Sequence, residues 1–468
     1  MRQGARPLLV ICLGTLLSAM AGSIVSLALP AMGRDLGISI EDSRWVVLAY
    51  LLVITSLLPI AGRLGDMLGH RQVYLAGNVA FAAGSVLCGL VPDFRLIIAA
   101  RVLQAAGAAM LMATGPAIVT TAFPPERRGQ ALGLLSTSTY VGLTAGPPLG
   151  GFIIAWLDWR YTFFLAAPLG ALVLATGLAW LPRSERQRSP LDGEGLLLLL
   201  IGLPCVLFSL SESRRWGFAS ARTLALLGIG LLVLWAFFRT EKKKAAPLLD
   251  FGLFRSREFS GAAMAAVLNY MALFTIGILL PFYLTEARGI DERAAGWLLS
   301  VQSFTMALVA APAGALSDRV GSRLLAATGM SLMAAGLAGI SCLDARSGLV
   351  WIGALQFVVG LGTGMFISPN SSTLMGAAPR ALQGQAGGVM ALARNFGMLL
   401  GVSSSTAIFQ SLGGATGRNW GSSDLEAMRA AMWFGAGAAA LAAVTSLFRK
   451  GPSSRGDPKN VVSKQHVD

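Results

Sequence analysis

The apolar positions of this chain come in long unbroken runs, not at amphipathic spacing. Runs of about 20 residues, enough at 1.5 Å per residue to cross a bilayer core, fall at 8–30, 45–61, 73–92, 96–119, 130–154, 161–181, 195–211, 222–238, 259–284, 294–315, 324–343, 350–374, 386–409 and 427–448. The pattern predicts an all-α polytopic membrane protein with fourteen transmembrane helices. An even number places both termini on one side.

Composition agrees. The chain is 54% hydrophobic and 13% charged, against about 25% charged for a soluble domain. The first run exceeds the roughly 7–15 residues of a signal-peptide core, so it is expected to stay in the protein despite the small residues of "SAMA" at Ser18–Ala21.

The net charge of +14 would suit nucleic acid, but its distribution points to the membrane instead. All six lysines (Lys242, Lys243, Lys244, Lys450, Lys459 and Lys464) lie in one loop and the tail. With the N-terminus inside, cytoplasmic segments hold 23 Lys and Arg and external ones 12. That bias sets the expected orientation, with both termini cytoplasmic in a bacterial inner membrane. No nucleic-acid partner is expected. Trp159, Trp180, Trp235, Trp297 and Trp351 fall near span ends, where an interfacial belt would place them. The four cysteines are dispersed, and His70 and His466 lie in a loop and the tail, so neither a disulfide framework nor a metal site is predicted.

The chain repeats. "GRLGDMLGHR" from Gly62 and "GALSDRVGSR" from Gly314 share G-x-L-x-D-x-x-G-x-R at an offset of 252. "RGQALG" from Arg128 returns as "QGQAGG" from Gln383, and Gly107 and Met110 return as Gly362 and Met365, all at an offset of 255. The reading is a cytoplasmic N-terminus (1–7), a six-helix bundle (8–181), two inserted peripheral helices (195–238), a second pseudo-symmetric six-helix bundle (259–448) and a cytoplasmic tail (449–468). Two such halves suit a carrier whose site lies between them.

"GLTAGPPLGG", Gly142 to Gly151, places two prolines and four glycines inside a span. Gly142, Gly146 and Gly150 share one face at a spacing of four, which allows close backbone approach. Pro147 and Pro148 free the carbonyls of Leu143 and Thr144, so a kink is expected. Together with "GRLGDMLGHR" and "RVLQAAGAAM" from Arg101, this stretch resembles the signature motifs of the major facilitator superfamily. The fourteen spans resemble its drug:proton antiporter branch.

The resemblance implies an antiporter motif at Gly142, Gly146, Pro147, Gly150 and Gly151, in close contact between the two halves. It also implies a conformational latch at Gly62, Asp66, Gly69 and Arg71, echoed by Asp318 and Arg323. Met67 and His70 stand where that family usually has basic residues. In many members of the branch the first span carries an aspartate; here Ala21 occupies its place, so a first-helix carboxylate is not available for proton coupling.

Two charges lie inside spans, Arg101 and Arg394, each costing about 2.5–3.5 kcal/mol at mid-helix. Arg101 can snorkel or turn inward, and Gln104 shares its face. The candidates for a proton and substrate path are Arg101, Gln104, Arg394, Asn269, Gln302 and Gln356. Arginines without carboxylates are expected to favour neutral or anionic substrates over cations.

The function expected is export of amphiphilic organic compounds by alternating access, coupled to protons. The alternatives are a dedicated exporter of one metabolite or self-made antibiotic, and a transporter without proton coupling. No catalytic cluster and no ion filter is seen, which excludes an enzyme or channel reading. The expected partners are small organic substrates, protons and membrane lipids. The protein is expected to be a monomer, and no cofactor is implied.

Overall fold

The computed structural model describes residues 2–123, 125–182, 193–217, 220–242, 244, 250–344, 346–379, 382–414 and 420–448. The basic tail, Lys243 and the side chain of Asp318 lie outside the described residues. The long helices are α1 (Arg2–Leu36), α2 (Trp45–Leu68), α3 (His70–Leu90), α4 (Phe94–Ala122), α5 (Pro125–Trp156), α6 (Arg160–Trp180, stepped at Leu165), α7 (Gly193–Trp216), α8 (Ala221–Glu241), α9 (Arg257–Phe282), α10 (Glu292–Val320), α11 (Ser322–Ser341), α12 (Leu349–Gly376), α13 (Gln383–Ser411) and α14 (Ser422–Leu447). Among the described residues there is no strand.

Among the described residues, ten of these helices are long and apolar enough to cross a membrane: α1 to α4, α6, α8, α9, α11, α12 and α14. The expectation was fourteen. The apolar stretch of α7 is short, Gly193–Ser209, and small or polar residues dilute α5, α10 and α13, as in "GLTAGPPLGG", "SVQSFT" and "GVSSST". Helices also run past their apolar segments: α1 begins well before residue 8, because its polar ends keep helical hydrogen bonding beyond the apolar stretch.

The connections are tight where glycine permits it. Gly69 (φ 100°) separates α2 from α3, and Gly321 (φ 94°) separates α10 from α11. That conformation is strained for any residue with a β-carbon, which accounts for the glycine in both copies of the loop motif.

The packing of α1–α6 recurs in α9–α14. α1 lies on α5 as α9 lies on α13, α2 on α4 as α10 on α12, and α3 on α4 and α6 as α11 on α12 and α14. Individual contacts repeat too. A β-carbon added at Gly77 would sit 2.5 Å from Met110 Cβ and 3.0 Å from the Gly107 carbonyl oxygen; one added at Gly329 would sit 3.0 Å from Met365 Cβ and 2.6 Å from the Gly362 carbonyl oxygen. The offsets read from the sequence are therefore offsets between equivalent contacts.

The two sets of six meet chiefly where α5 packs on α10, and also through α2 on α13 and α1 on α9. α7 and α8 form a hairpin with no counterpart. α7 packs on α2 and α13, while Leu224, Ile229, Leu231 and Leu232 of α8 are each more than half exposed. α7 is pinned to α2 by the buried pair Arg44–Glu212 (3.3 Å), with Trp45 Nε1 donating to Glu212 Oε1 at 3.2 Å and the Trp45 and Phe208 rings 5.2 Å apart. A buried ion pair offsets its desolvation only with such added partners.

Candidate functional site

The connections after α1, α5 and α9 share one end of the molecule, the odd-loop end, where Arg34 meets Glu286 and Arg160 meets Asp35. The α2–α3 turn meets the end of α6 at the other, the even-loop end, through Arg71 and the Leu178 carbonyl. The stretch "GLTAGPPLGG" divides its contacts between two neighbours. Gly142, Gly146 and Gly150 all face α1 of their own set. β-Carbons there would sit 2.5 Å from the Leu16 carbonyl oxygen, against Ser23 and 3.1 Å from Ile24 N, and 2.7 Å from Ile24 Cγ1, respectively. The four-residue spacing thus builds a close seam within one set. Contact with the opposite set comes from the turn beyond. A β-carbon on Gly151 would lie 2.6 Å from the Glu292 carbonyl oxygen, and one on Gly296 would lie 2.6 Å from the Pro147 carbonyl oxygen. The close contact between halves that the motif was expected to make is carried by Gly151 and Pro147; the three glycines spaced by four line a seam with α1.

Around this crossing point the two sets are also joined by side chains, although Trp156 and Trp297 are more than half exposed. Phe152 stacks edge-on against Trp297, centroids 6.3 Å apart, and Arg293 lies over the Trp156 ring at 4.7 Å. Arg34, at the end of α1, donates from Nη1 to Glu286 Oε1 and from Nη2 to Glu292 Oε1, each at 2.7 Å. This fork joins the first set to the second. A guanidinium suits it because its donors are held in fixed directions. Next to it, Asp35 stays within its own set, accepting from Arg160 (2.9 Å) and from Trp159 Nε1 (3.1 Å). Trp159, expected in an interfacial belt, is instead buried, because its indole N–H is used in this pair.

The residues assigned to a latch lie at the even-loop end. Asp66 pairs with His70 one turn on (3.4 Å), and Arg71 donates to the Leu178 carbonyl at the end of α6 (2.7 Å), a partner in its own set. A β-carbon at Gly65 would meet His70 Nδ1 at 2.6 Å, whereas Gly62 has open space around it. Arg323 is exposed. The Arg34 fork went unread in the sequence. No local pattern signals it, since Glu286 lies in the π-helical turn Tyr283–Ala287 beyond α9 and Glu292 opens α10.

Arg101 does not snorkel. It is 1% exposed, donates from Nε to the Val46 carbonyl (2.8 Å) and from Nη1 to Gln104 Oε1 (2.5 Å), and lies over the Tyr50 ring at 4.2 Å. Gln104 passes the chain on to Ser85 Oγ (2.6 Å). A desolvated cation over an aromatic face gains about 2 kcal/mol, so the charge is well compensated and ties α4 to α2 and α3. Arg394 is half-buried on α13 beside the Tyr270 hydroxyl of α9. Gln302 is half-buried on α10, while Asn269 and Gln356 are fully buried on α9 and α12. The structure does not bring Arg101 and Arg394 into one cluster: each is engaged with a tyrosine of its own set.

Comparison with known proteins places this arrangement. A family model described as Major Facilitator Superfamily matches residues 11–240 and 262–466. The chain is 33% identical over 414 residues to the Riboflavin transporter RibZ of Clostridioides difficile (strain 630), covering 88% of each chain. It is 33% identical over 399 residues to the tetracenomycin C resistance and export protein of Streptomyces glaucescens, covering 84% of this chain and 74% of that one. It is 28% identical over 391 residues to the multidrug resistance protein Stp of Mycobacterium tuberculosis (strain CDC 1551 / Oshkosh), covering 83% and 73%.

Proposed function

The chain belongs to the Major Facilitator Superfamily, and from that premise we propose that it exports amphiphilic organic compounds across the cytoplasmic membrane by alternating access, driven by the proton gradient. In this reading all fourteen long helices cross the membrane, α7 and α8 sit at the periphery, both termini are cytoplasmic, and a monomer suffices. The odd-loop end is then the outer end. The observation that carries the reading is the crossing of α5 and α10 at Gly151 and Gly296, where backbone meets backbone and the flanking Arg34 fork holds the outer end shut. Two sets joined at such a point can tilt about it.

Ala21, where an aspartate would serve proton coupling, is buried among apolar neighbours. Coupling is therefore assigned to groups other than a first-helix carboxylate. With Arg101 and Arg394 as the charges inside the spans, neutral and anionic substrates are favoured over cations. A second reading, a carrier dedicated to one metabolite, is favoured by the relative named as a riboflavin transporter, matched over 88% of both chains. Riboflavin, a neutral planar molecule, satisfies the charge argument.

The test is flux in proteoliposomes under an imposed pH gradient, with riboflavin, an anionic dye and a lipophilic cation. Gradient-dependent transport of the neutral and anionic compounds is expected. Preferential transport of the cation would refute the substrate assignment, and pH-independent flux would remove proton coupling while leaving the exporter.

A further inference from the structure

The two sets repeat in contact but not in chemistry. At the offsets of 252 for α2 and 255 for α4, Tyr50 corresponds to Gln302 and Arg101 to Gln356. The contacts bear this register: a β-carbon at Gly84 would touch Gln104 N, and one at Gly336 would touch Val359 N, the residue 255 further on. In the first set the pair is saturated, since Arg101 holds the Val46 carbonyl, Gln104 and the face of Tyr50. In the second set it is not. Gln356 is fully buried, and neither its amide nitrogen nor its oxygen has a hydrogen-bond partner. Asn269, on the helix packed against α12, is fully buried with both amide atoms likewise unpartnered.

These four atoms are costly. A buried amide without partners destabilises a fold relative to an apolar residue of the same size, and a membrane core supplies no solvent to relieve it. The contrast with other amides is direct: Asn78 donates to the Gly170 carbonyl (2.8 Å) and Asn370 to the Ala262 carbonyl (3.1 Å), each joining two helices. Asn269 and Gln356 join nothing.

Their placement is defined. Gly353 and Gly360 bracket Gln356 on one face of α12; the first faces Leu298 (3.7 Å) and the second abuts the Gln302 carbonyl. So Gln356 lies on the side of α12 turned towards α10, next to Gln302. The Asn370–Ala262 hydrogen bond sets the level of α12 against α9. From that level Asn269 is seven residues along α9 and Gln356 fourteen along α12, towards the same end. At 1.5 Å per residue the two amides differ in depth by about 10 Å.

We propose that Asn269 and Gln356, with Gln302 beside the latter, are the hydrogen-bonding subsite for substrate, reached when α9, α10 and α12 part within the second set during the cycle, and that they select a neutral planar compound bearing adjacent carbonyl and N–H groups. This deepens the exporter reading and rests on it. Each carboxamide offers one acceptor and two donors, which complements an imide or lactam edge. The depth difference matches a fused three-ring system lying between the two. With no charge at either position, neither cation nor anion is preferred there. The first set, where Arg101 is fully engaged, would supply shape rather than hydrogen bonds.

The experiment uses the full chain in proteoliposomes with riboflavin, its N3-methyl derivative (imide N–H blocked) and a lipophilic cation. Wild type is expected to carry riboflavin at least tenfold more efficiently than the N3-methyl compound. Asn269→Leu and Gln356→Leu should erase that discrimination and weaken riboflavin transport at least tenfold, while their melting temperatures stay level or rise. Asn78→Leu, which breaks a bonded amide, should lower the melting temperature. Leucine variants that keep the discrimination, or that melt early as Asn78→Leu does, would overturn the subsite. If wild type carries the cation but neither flavin, the substrate class is wrong and the exporter reading survives; if it carries nothing in the panel, both fall.

Discussion

Arg34 and Glu286, 252 residues apart, stand 2.7 Å from each other across the line between the two six-helix sets. Arg34 also reaches Glu292 at 2.7 Å, so one side chain at the end of α1 holds both ends of the α9–α10 connection. Arg34 is about a third exposed, Glu292 a quarter and Glu286 only 9%; because the shared guanidinium stays in contact with solvent, each pair is worth only about 0.2–1 kcal/mol. That is a small lock, suited to an equilibrium that must be reversed in every cycle. Arg34→Gln should open the outer end more often, raising the labelling rate of a cysteine at Leu27, buried against Gly296 of the other set, by an impermeant maleimide up to about fivefold for each pair lost. The reciprocal variant Arg34→Glu with Glu286→Arg should recover part of the closure. Labelling that ignores both variants would remove the fork from the gate.

The division of labour within "GLTAGPPLGG" predicts two different phenotypes. Gly146→Val pushes a side chain into Ser23 and the α1 backbone, so it should destabilise the protein by about 1–3 kcal/mol and lower its melting temperature. Gly151→Val meets the Glu292 carbonyl of the other set instead. It should leave the melting temperature nearer to wild type and raise outer-end labelling. Equal melting losses without any change in labelling would show that Gly151 does not act between the sets.

Much of this was legible from residues and spacing. The face shared by Gly142, Gly146 and Gly150 followed from helical periodicity, and all three do lie on one packed face. Which helix covers that face did not follow, because spacing defines a side of a helix and not its neighbour. The Arg34 fork was illegible for a related reason: its three residues lie on the ends of three helices, and no local pattern reports a partner 252 residues away. Arg101 could have snorkelled or turned inward; the carbonyl of Val46 and the ring of Tyr50, both on another helix, decide for the interior. Asn269 and Gln356 were visible as polar residues in apolar runs, but their lack of partners is a property of the packing alone.

Arg101 needs a planar fork. Arg101→Lys keeps the charge but cannot hold both the Val46 carbonyl and Gln104 in the same geometry while lying over Tyr50. The loss of one hydrogen bond to a buried charge corresponds to about 1.5–3 kcal/mol, measurable as a lower thermal or denaturant midpoint in detergent. A lysine variant as stable as wild type would contradict the structural role assigned to this network.

The α7–α8 hairpin depends on one buried ion pair. Glu212→Ala leaves Arg44 without its carboxylate and should cost about 3–5 kcal/mol, whereas Arg44→Met combined with Glu212→Leu should recover most of that loss. Limited proteolysis between α6 and α7, together with thermal melting, reports both. A double variant no better than the single would mean that the pair does more than anchor the hairpin.

The claim on which the rest depends is that the outer ends of α5 and α10 separate during transport. Phe152 and Trp297, with ring centroids 6.3 Å apart, are the place to measure it. In a background lacking Cys12, Cys88, Cys205 and Cys342, cysteines at these two positions can be joined by a short thiol cross-linker and flux followed in proteoliposomes. The account predicts that the cross-link stops transport and that a cleavable linker, once cut, restores it. Transport at the uncross-linked rate with the link intact would contradict it.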